Sequence, residues 1–140
     1  MKTLLLTLFA VVGLLSCGNG PTTNHAPHTK GIELLCFHGA QRCPTCVAIE
    51  AQTRDVVETT YAQQLKDSTI VLRVIDITQP ENETLADHYE VTWSSLLIAD
   101  RRNEAEEVTN LTDIAFANAR ANPEKFRATL RATIDKLLKK

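Results

Sequence analysis

Two cysteines separated by two residues, Cys43-Pro44-Thr45-Cys46, are the groups in this 140-residue chain best placed to do chemistry. They follow a short apolar run, Ile32 to Phe37, and open a stretch of helical periodicity that starts at Cys46 and reaches about Leu65. A sulfur at a helix start faces unpaired backbone N–H groups and the positive end of the helix dipole, which favours thiolate over thiol. Pro44 fits this placement, because its missing N–H has no partner in a first helical turn and its fixed φ already suits the helix. Cys43 is therefore expected near the N-cap and Cys46 inside the first turn, on one face and able to close a small disulfide ring. Thiols in such positions fall from a pKa near 8.5 to roughly 3.5–7.5. Arg42, directly before Cys43, and His38, at the end of the apolar run, are both placed to stabilise a thiolate further. The pattern predicts a nucleophilic Cys43 and a resolving Cys46.

The elements that must hold this pair follow from periodicity. Ile32–Phe37, bounded by glycines, reads as a strand buried on both faces, with Cys36 packed in it as a small hydrophobe. From Cys46, apolar positions Ile49, Val56, Val57, Tyr61 and Leu65 recur at helical spacing, while Glu50 and Arg54 form an i,i+4 pair on a more exposed side. Thr69–Ile77 is a β-branched strand, so strand, helix and strand make a βαβ unit with parallel pairing. Pro80–Tyr89 reads as a shorter helix, Val91–Ala99 as a strand, and Ala105–Leu111 as its antiparallel hairpin partner across the polar turn at 100–103. Asp113–Arg120 is a short helix. Asn122-Pro123-Glu124 starts a last one, with Phe126, Leu130, Ile134 and Leu137 along one face.

Composition sets bounds on the rest. A net charge of −2, or −3 without a leader whose only charge is Lys2, gives no reason to expect a nucleic-acid partner. Apolar residues at 44% and charged residues at 23% are globular values and support one modest core. Structural zinc wants four ligands, yet no second cysteine pair exists, His25 and His28 lie in a linker, and His88 stands alone. Residues 1–17 read as a lipoprotein signal peptide: a short positive start, an apolar core, and Leu14-Leu15-Ser16-Cys17, a lipobox whose cysteine would carry lipid. The competing reading is an ordinary signal cleaved near Ser16, with Cys17 left free. Residues 18–31, rich in glycine, proline and small polar residues, are expected to form a flexible tether ahead of a domain at 32–140.

From Ile32 to Lys140 this order of elements resembles the thioredoxin fold, which implies an α/β architecture: three layers, α/β/α, around a central mixed sheet. More narrowly, Phe37-His38-Gly39, Arg42-Cys43-Pro44-Thr45-Cys46 and Ile49-Glu50, with Val91-Thr92-Trp93-Ser94-Ser95-Leu96 downstream, resemble the small thioredoxin-like proteins described as nitrophenyl compound nitroreductase subunits of the ArsF type. The thioredoxin resemblance implies thiol–disulfide exchange, in which Cys43 attacks a partner disulfide and Cys46 resolves the mixed disulfide. It also places Ser95 where thioredoxins carry a cis-proline, and Phe37 where they carry a buried acid, with His38 as the candidate replacement. Trp93 is expected to wall the substrate groove, the competing reading being an ordinary core residue. No Gly-x-Gly-x-x-Gly is present, so no flavin, nicotinamide or other cofactor is expected.

Three functions compete on this reading. The first is a lipid-anchored, periplasm-facing thiol–disulfide oxidoreductase of the bacterial cell envelope, acting on protein or small-molecule disulfides and recycled by a redox partner. The second is capture of a soft metal or arsenite by Cys43, Cys46 and His38, which thiolate softness favours. The third is a non-catalytic accessory subunit of a reductase system, its disulfide a structural clip.

Overall fold

The computed structural model describes residues 30–140. The 1–17 leader with Cys17, and all of the 18–31 tether except its last two residues, lie outside the described residues. Gly31, assigned to the tether from sequence, belongs to the domain. It is buried, its carbonyl accepts from Arg101 N at 2.9 Å, and a Cβ there would stand 3.0 Å from the Ser68 and Thr69 carbonyl oxygens. Only glycine allows that backbone approach without displacement.

The sheet is built around β1 (Ile32–His38). One side of β1 pairs in parallel with β2 (Ile70–Asp76), from Ile32 opposite Ile70 to His38 opposite Asp76. Its other side pairs antiparallel with β3 (Ser95–Asp100), and β3 pairs antiparallel with β4 (Glu107–Asn110). The order β2-β1-β3-β4 is therefore mixed, with the most apolar strands at its centre. Alternation along β1 divides the core in two. Ile32, Leu34 and Cys36 join Leu96 and Ile98 beneath the long helices, while Leu35 and Phe37 join Leu97, Ala99, Ile75 and Val91 on the opposite face.

The larger face carries α1 (Pro44–Thr60), α2 (Ala62–Lys66), α4 (Thr112–Asn118) and α5 (Pro123–Leu138). The stripe predicted for the last helix is the one buried: Phe126, Leu130, Ile134 and Leu137 all pack inward, each worth about 1.5–3 kcal/mol if fully removed from water. Asn122 caps α5 as expected, its side-chain oxygen accepting from Lys125 N at 3.3 Å. The smaller face is covered by α3 (Glu83–His88), reached through a single 3-10 turn at Pro80–Asn82, with Leu85 and Tyr89 against the sheet. Strand order, the βαβ unit, the antiparallel hairpin and helices on both faces together define a thioredoxin-like fold. Among the described residues no helix is long and apolar enough to cross a membrane.

Two of the boundaries that differ from the sequence reading have a visible physical cause. The helix predicted to run to Leu65 breaks at Tyr61, which leaves helical geometry at φ −120° so that its buried ring can bring its hydroxyl 2.7 Å from Asp135 Oδ1 on α5. The strand predicted from Val91 begins only at Ser95. The preceding residues are occupied in closing α3: Glu90 adopts φ 54°, its N–H bonds Asp87 O at 3.0 Å, and Val91 N bonds Ala86 O at 2.8 Å, the paired bonds of a Schellman cap.

Candidate functional site: a cysteine pair at a helix start

Cys43 is the N-cap of α1 and Pro44 its first helical residue, as the motif requires. The Cys43 Sγ accepts a hydrogen bond from Cys46 N at 3.1 Å, the bond that serine or aspartate oxygen makes in an ordinary N-cap. The two cysteines are joined as a disulfide with their Cα atoms 5.1 Å apart, comfortably within disulfide span. Cys43 is exposed and Cys46 half-buried behind it. A molecule approaching from solvent would therefore reach Cys43 before Cys46.

Behind Cys46 a small cleft of about 10 Å³, room for roughly one water, is lined by groups from β1, α1, the start of β3 and α4. The strand β1 gives Cys36 and His38, the segment leading into β3 gives Ser94, and α1 gives Glu50. The Ser94 Oγ lies 3.6 Å from Cys46 Sγ. While that sulfur is in a disulfide it can only accept, so the serine hydroxyl is the donor; after reduction either group can donate.

Ser95, the residue expected to face the cysteines, lines the cleft wall but turns its hydroxyl back to donate to Trp93 O at 3.1 Å. Its backbone is already in the sheet opposite Phe37, and the pleat directs the neighbouring Ser94 toward the sulfur instead. Trp93 is 56% exposed and lies against Phe116, ring centroids 5.4 Å apart, and Phe116 in turn lines the cleft. Trp93 thus stands at the rim beside the pair and outside the core.

His38 sits where β1 ends, half-buried, with Nδ1 2.9 Å from its neighbour's carbonyl, Gly39 O. Nδ1 is therefore the protonated nitrogen of the neutral ring, and Nε2 the acceptor. His38 is not assembled with the cysteines into a metal-ligand set: among the described residues no three His, Cys, Asp or Glu side chains converge for a metal ion. Its local bond to Gly39 holds the ring at the strand end.

Cys36 is 5% exposed, and loss of solvent, followed by the negative charge of Glu50, pushes its thiol up to about 12. It is the neutral small hydrophobe that its place in an apolar run implied. Arg42, read from sequence as placed to stabilise a thiolate, is exposed but not free, because its guanidinium is bound to Glu50. Glu50 also accepts from Arg54 Nη2 at 3.1 Å. Burial by itself would raise the Glu50 carboxyl, and the hydrogen bonds from Arg42 and Arg54 outweigh it and hold the group below the usual carboxylate range.

Sequence reasoning did not assign Ser94, Phe116 or Glu50 to the site. Ser94 had a signal in its position next to Ser95, and Glu50 in its place one helical turn beyond Cys46. Phe116, on a helix distant in sequence, had none.

No family model and no curated protein matches the chain. Among solved structures, a thioredoxin from Thermus thermophilus is similar at 20% identity and a TM-score of 0.47, over 74% of this chain and 74% of that one. A malarial protein is similar at 17% identity and a TM-score of 0.41, over 62% of this chain and 93% of that one.

Proposed function

We propose that this protein is a thiol–disulfide oxidoreductase, tethered by a lipid on Cys17 to the bacterial cell envelope and facing the periplasm. The observation that carries the activity is the asymmetry of the pair: Cys43 exposed at the helix N-cap, and Cys46 half-buried behind it against Ser94. In the reductive direction the Cys43 thiolate attacks one sulfur of a partner disulfide and expels the other as a thiolate, leaving a mixed disulfide. Cys46, deprotonated, then attacks Cys43 Sγ and releases the second partner thiol. The partner gains two electrons and two protons, and the protein ends as the Cys43–Cys46 disulfide for a redox partner to reduce. The oxidative direction is the reverse.

Anchoring rests on the lipobox alone, and kinship with ArsF-type nitroreductase subunits rests on the motifs around Cys43 and Trp93.

The test is equilibration of the protein in glutathione and dithiothreitol buffers of known potential, with the state of each cysteine read by alkylation and peptide mass. A reversible two-electron transition of Cys43 and Cys46 that disappears in Cys43→Ser is the expected result. If the pair instead stays reduced and protected by bound zinc or arsenite, the protein is a capture protein. If the disulfide persists and exchanges with no partner, it is a structural clip.

A further inference from the structure

A cation directly before the attacking cysteine is the most economical way to favour its thiolate. Arg42 occupies that position, but its guanidinium is committed to Glu50. Glu50 is i+4 from Cys46, its side chain is 19% exposed, and it lines the same cleft as Cys46 and Arg42. A second arginine, Arg54, holds the other carboxylate oxygen at 3.1 Å and reaches Glu58 at 3.6 Å. The carboxylate is thus fixed in place from both sides. The remaining ionisable groups lining the cleft are Cys36 and His38 from β1, whereas β3 and α4 contribute only uncharged residues to it.

We propose that Glu50 is a positioning residue that sets how strongly Cys43 is activated, by competing with the Cys43 thiolate for the Arg42 guanidinium. In the disulfide form no thiolate exists and Glu50 is the acceptor for Arg42. On reduction the new thiolate must share that cation with a carboxylate, and carboxylate–guanidinium pairing is charge-assisted and geometrically favourable. The dithiol form therefore receives less stabilisation than a free arginine would give it, and the pair is a better reductant than its motif alone implies. This rests on the exchange activity proposed above.

The experiment compares the native chain with Glu50→Gln, Arg42→Gln, the double variant, and Arg54→Gln, which removes the other half of the ion network. Two quantities are read: the pH profile of Cys43 alkylation, and the dithiol–disulfide equilibrium against glutathione. Glu50→Gln is expected to lower the apparent Cys43 pKa by about one unit and, at a pH above the native Cys43 pKa, to move the equilibrium up to about tenfold toward dithiol, roughly 30 mV for two electrons. Arg42→Gln and Arg54→Gln alone are expected to move either quantity less than about threefold, and the double variant to return near native, as a coupled pair must. The proposal falls if Glu50→Gln leaves both quantities at native values, or if its shift survives in the double variant. A native protein with no reversible thiol transition would sink the exchange activity itself; a normal native transition with an unmoved Glu50→Gln would sink the clamp alone.

Discussion

The Ser94 hydroxyl, 3.6 Å from Cys46 Sγ, is the side-chain group hydrogen-bonded to the inner sulfur of the pair. Its neighbour Ser95 spends its own hydroxyl on Trp93 O. When Cys46 is reduced, a serine donor favours its thiolate, the species that resolves the mixed disulfide. A hydrogen bond to a charged group is worth about 1.5–3 kcal/mol, and the long contact to sulfur argues for the low end. Ser94→Ala is therefore expected to raise the Cys46 pKa by about one unit, measured by alkylation in a Cys43→Ser background. Ser95→Ala serves as the matched control and should leave that pKa where it is.

Cys36 lines the cleft with Cys46 yet should take no part in exchange. Its thiol is pushed up to about 12, first by burial and then by Glu50, and stays neutral wherever Cys43 is active. Against the ordinary value of 9.0, this cuts the thiolate fraction about a thousandfold. In the reduced native protein at pH 8, site-resolved alkylation should find Cys43 fast, Cys46 slower and Cys36 protected by about that factor, with protection lost on unfolding. Rapid modification of native Cys36 would refute the assignment.

What the sequence made legible follows from how far each signal reaches. Runs such as Ile32–Phe37 and the stripe from Phe126 to Leu137 state their own burial, and Cys-Pro-x-Cys states its own helix start, because those constraints are local. The break at Tyr61 was hidden because the apolar period continues through Tyr61 to Leu65; what ends the helix is a bond to Asp135, 74 residues away. The choice between Ser94 and Ser95 depended on where β3 enters the sheet, which the Schellman cap of α3 decides. The Glu50–Arg54 pair was visible as an i,i+4 spacing, but Arg42 approaches Glu50 from outside the helix, across a boundary where no periodicity applies. Burial of Glu33 in β1 was likewise masked by its apolar neighbours; it is compensated by Arg101, whose Nη1 lies 2.7 Å from its carboxylate.

Glu90 closes α3 at φ 54°, a conformation that costs a side-chain-bearing residue about 1–2 kcal/mol. Its side chain is exposed, so little packing is lost on truncation. Glu90→Gly should relieve that strain and, after the larger unfolded-state entropy of glycine, stabilise the domain by about 0.5–1 kcal/mol. Urea unfolding would register this as a higher midpoint with an unchanged slope. A lower midpoint would mean that the Glu90 side chain contributes more than its exposure implies.

Asp100, 2% exposed at the end of β3, is a carboxylate whose loss should change how stability depends on pH. Arg102 donates to it through Nε at 2.9 Å and Nη2 at 2.8 Å, and also donates to the Leu137 carbonyl near the end of α5, so the pair ties the hairpin to the last helix. These hydrogen bonds from Arg102 outweigh burial and hold the Asp100 carboxyl below its ordinary range. The unfolded chain, with a carboxyl near 3.9, therefore binds this proton more readily than the folded one. The stabilisation is fully present above about pH 4 and is lost as pH falls through the depressed folded value. Asp100→Asn should cost about 3 kcal/mol at neutral pH, where it leaves Arg102 without its counter-charge, and its deficit relative to the native protein should shrink steadily below about pH 4. Paired urea titrations at pH 7 and pH 3 measure both numbers. An equal deficit at the two pH values would show that Asp100 acts through packing and not through its charge.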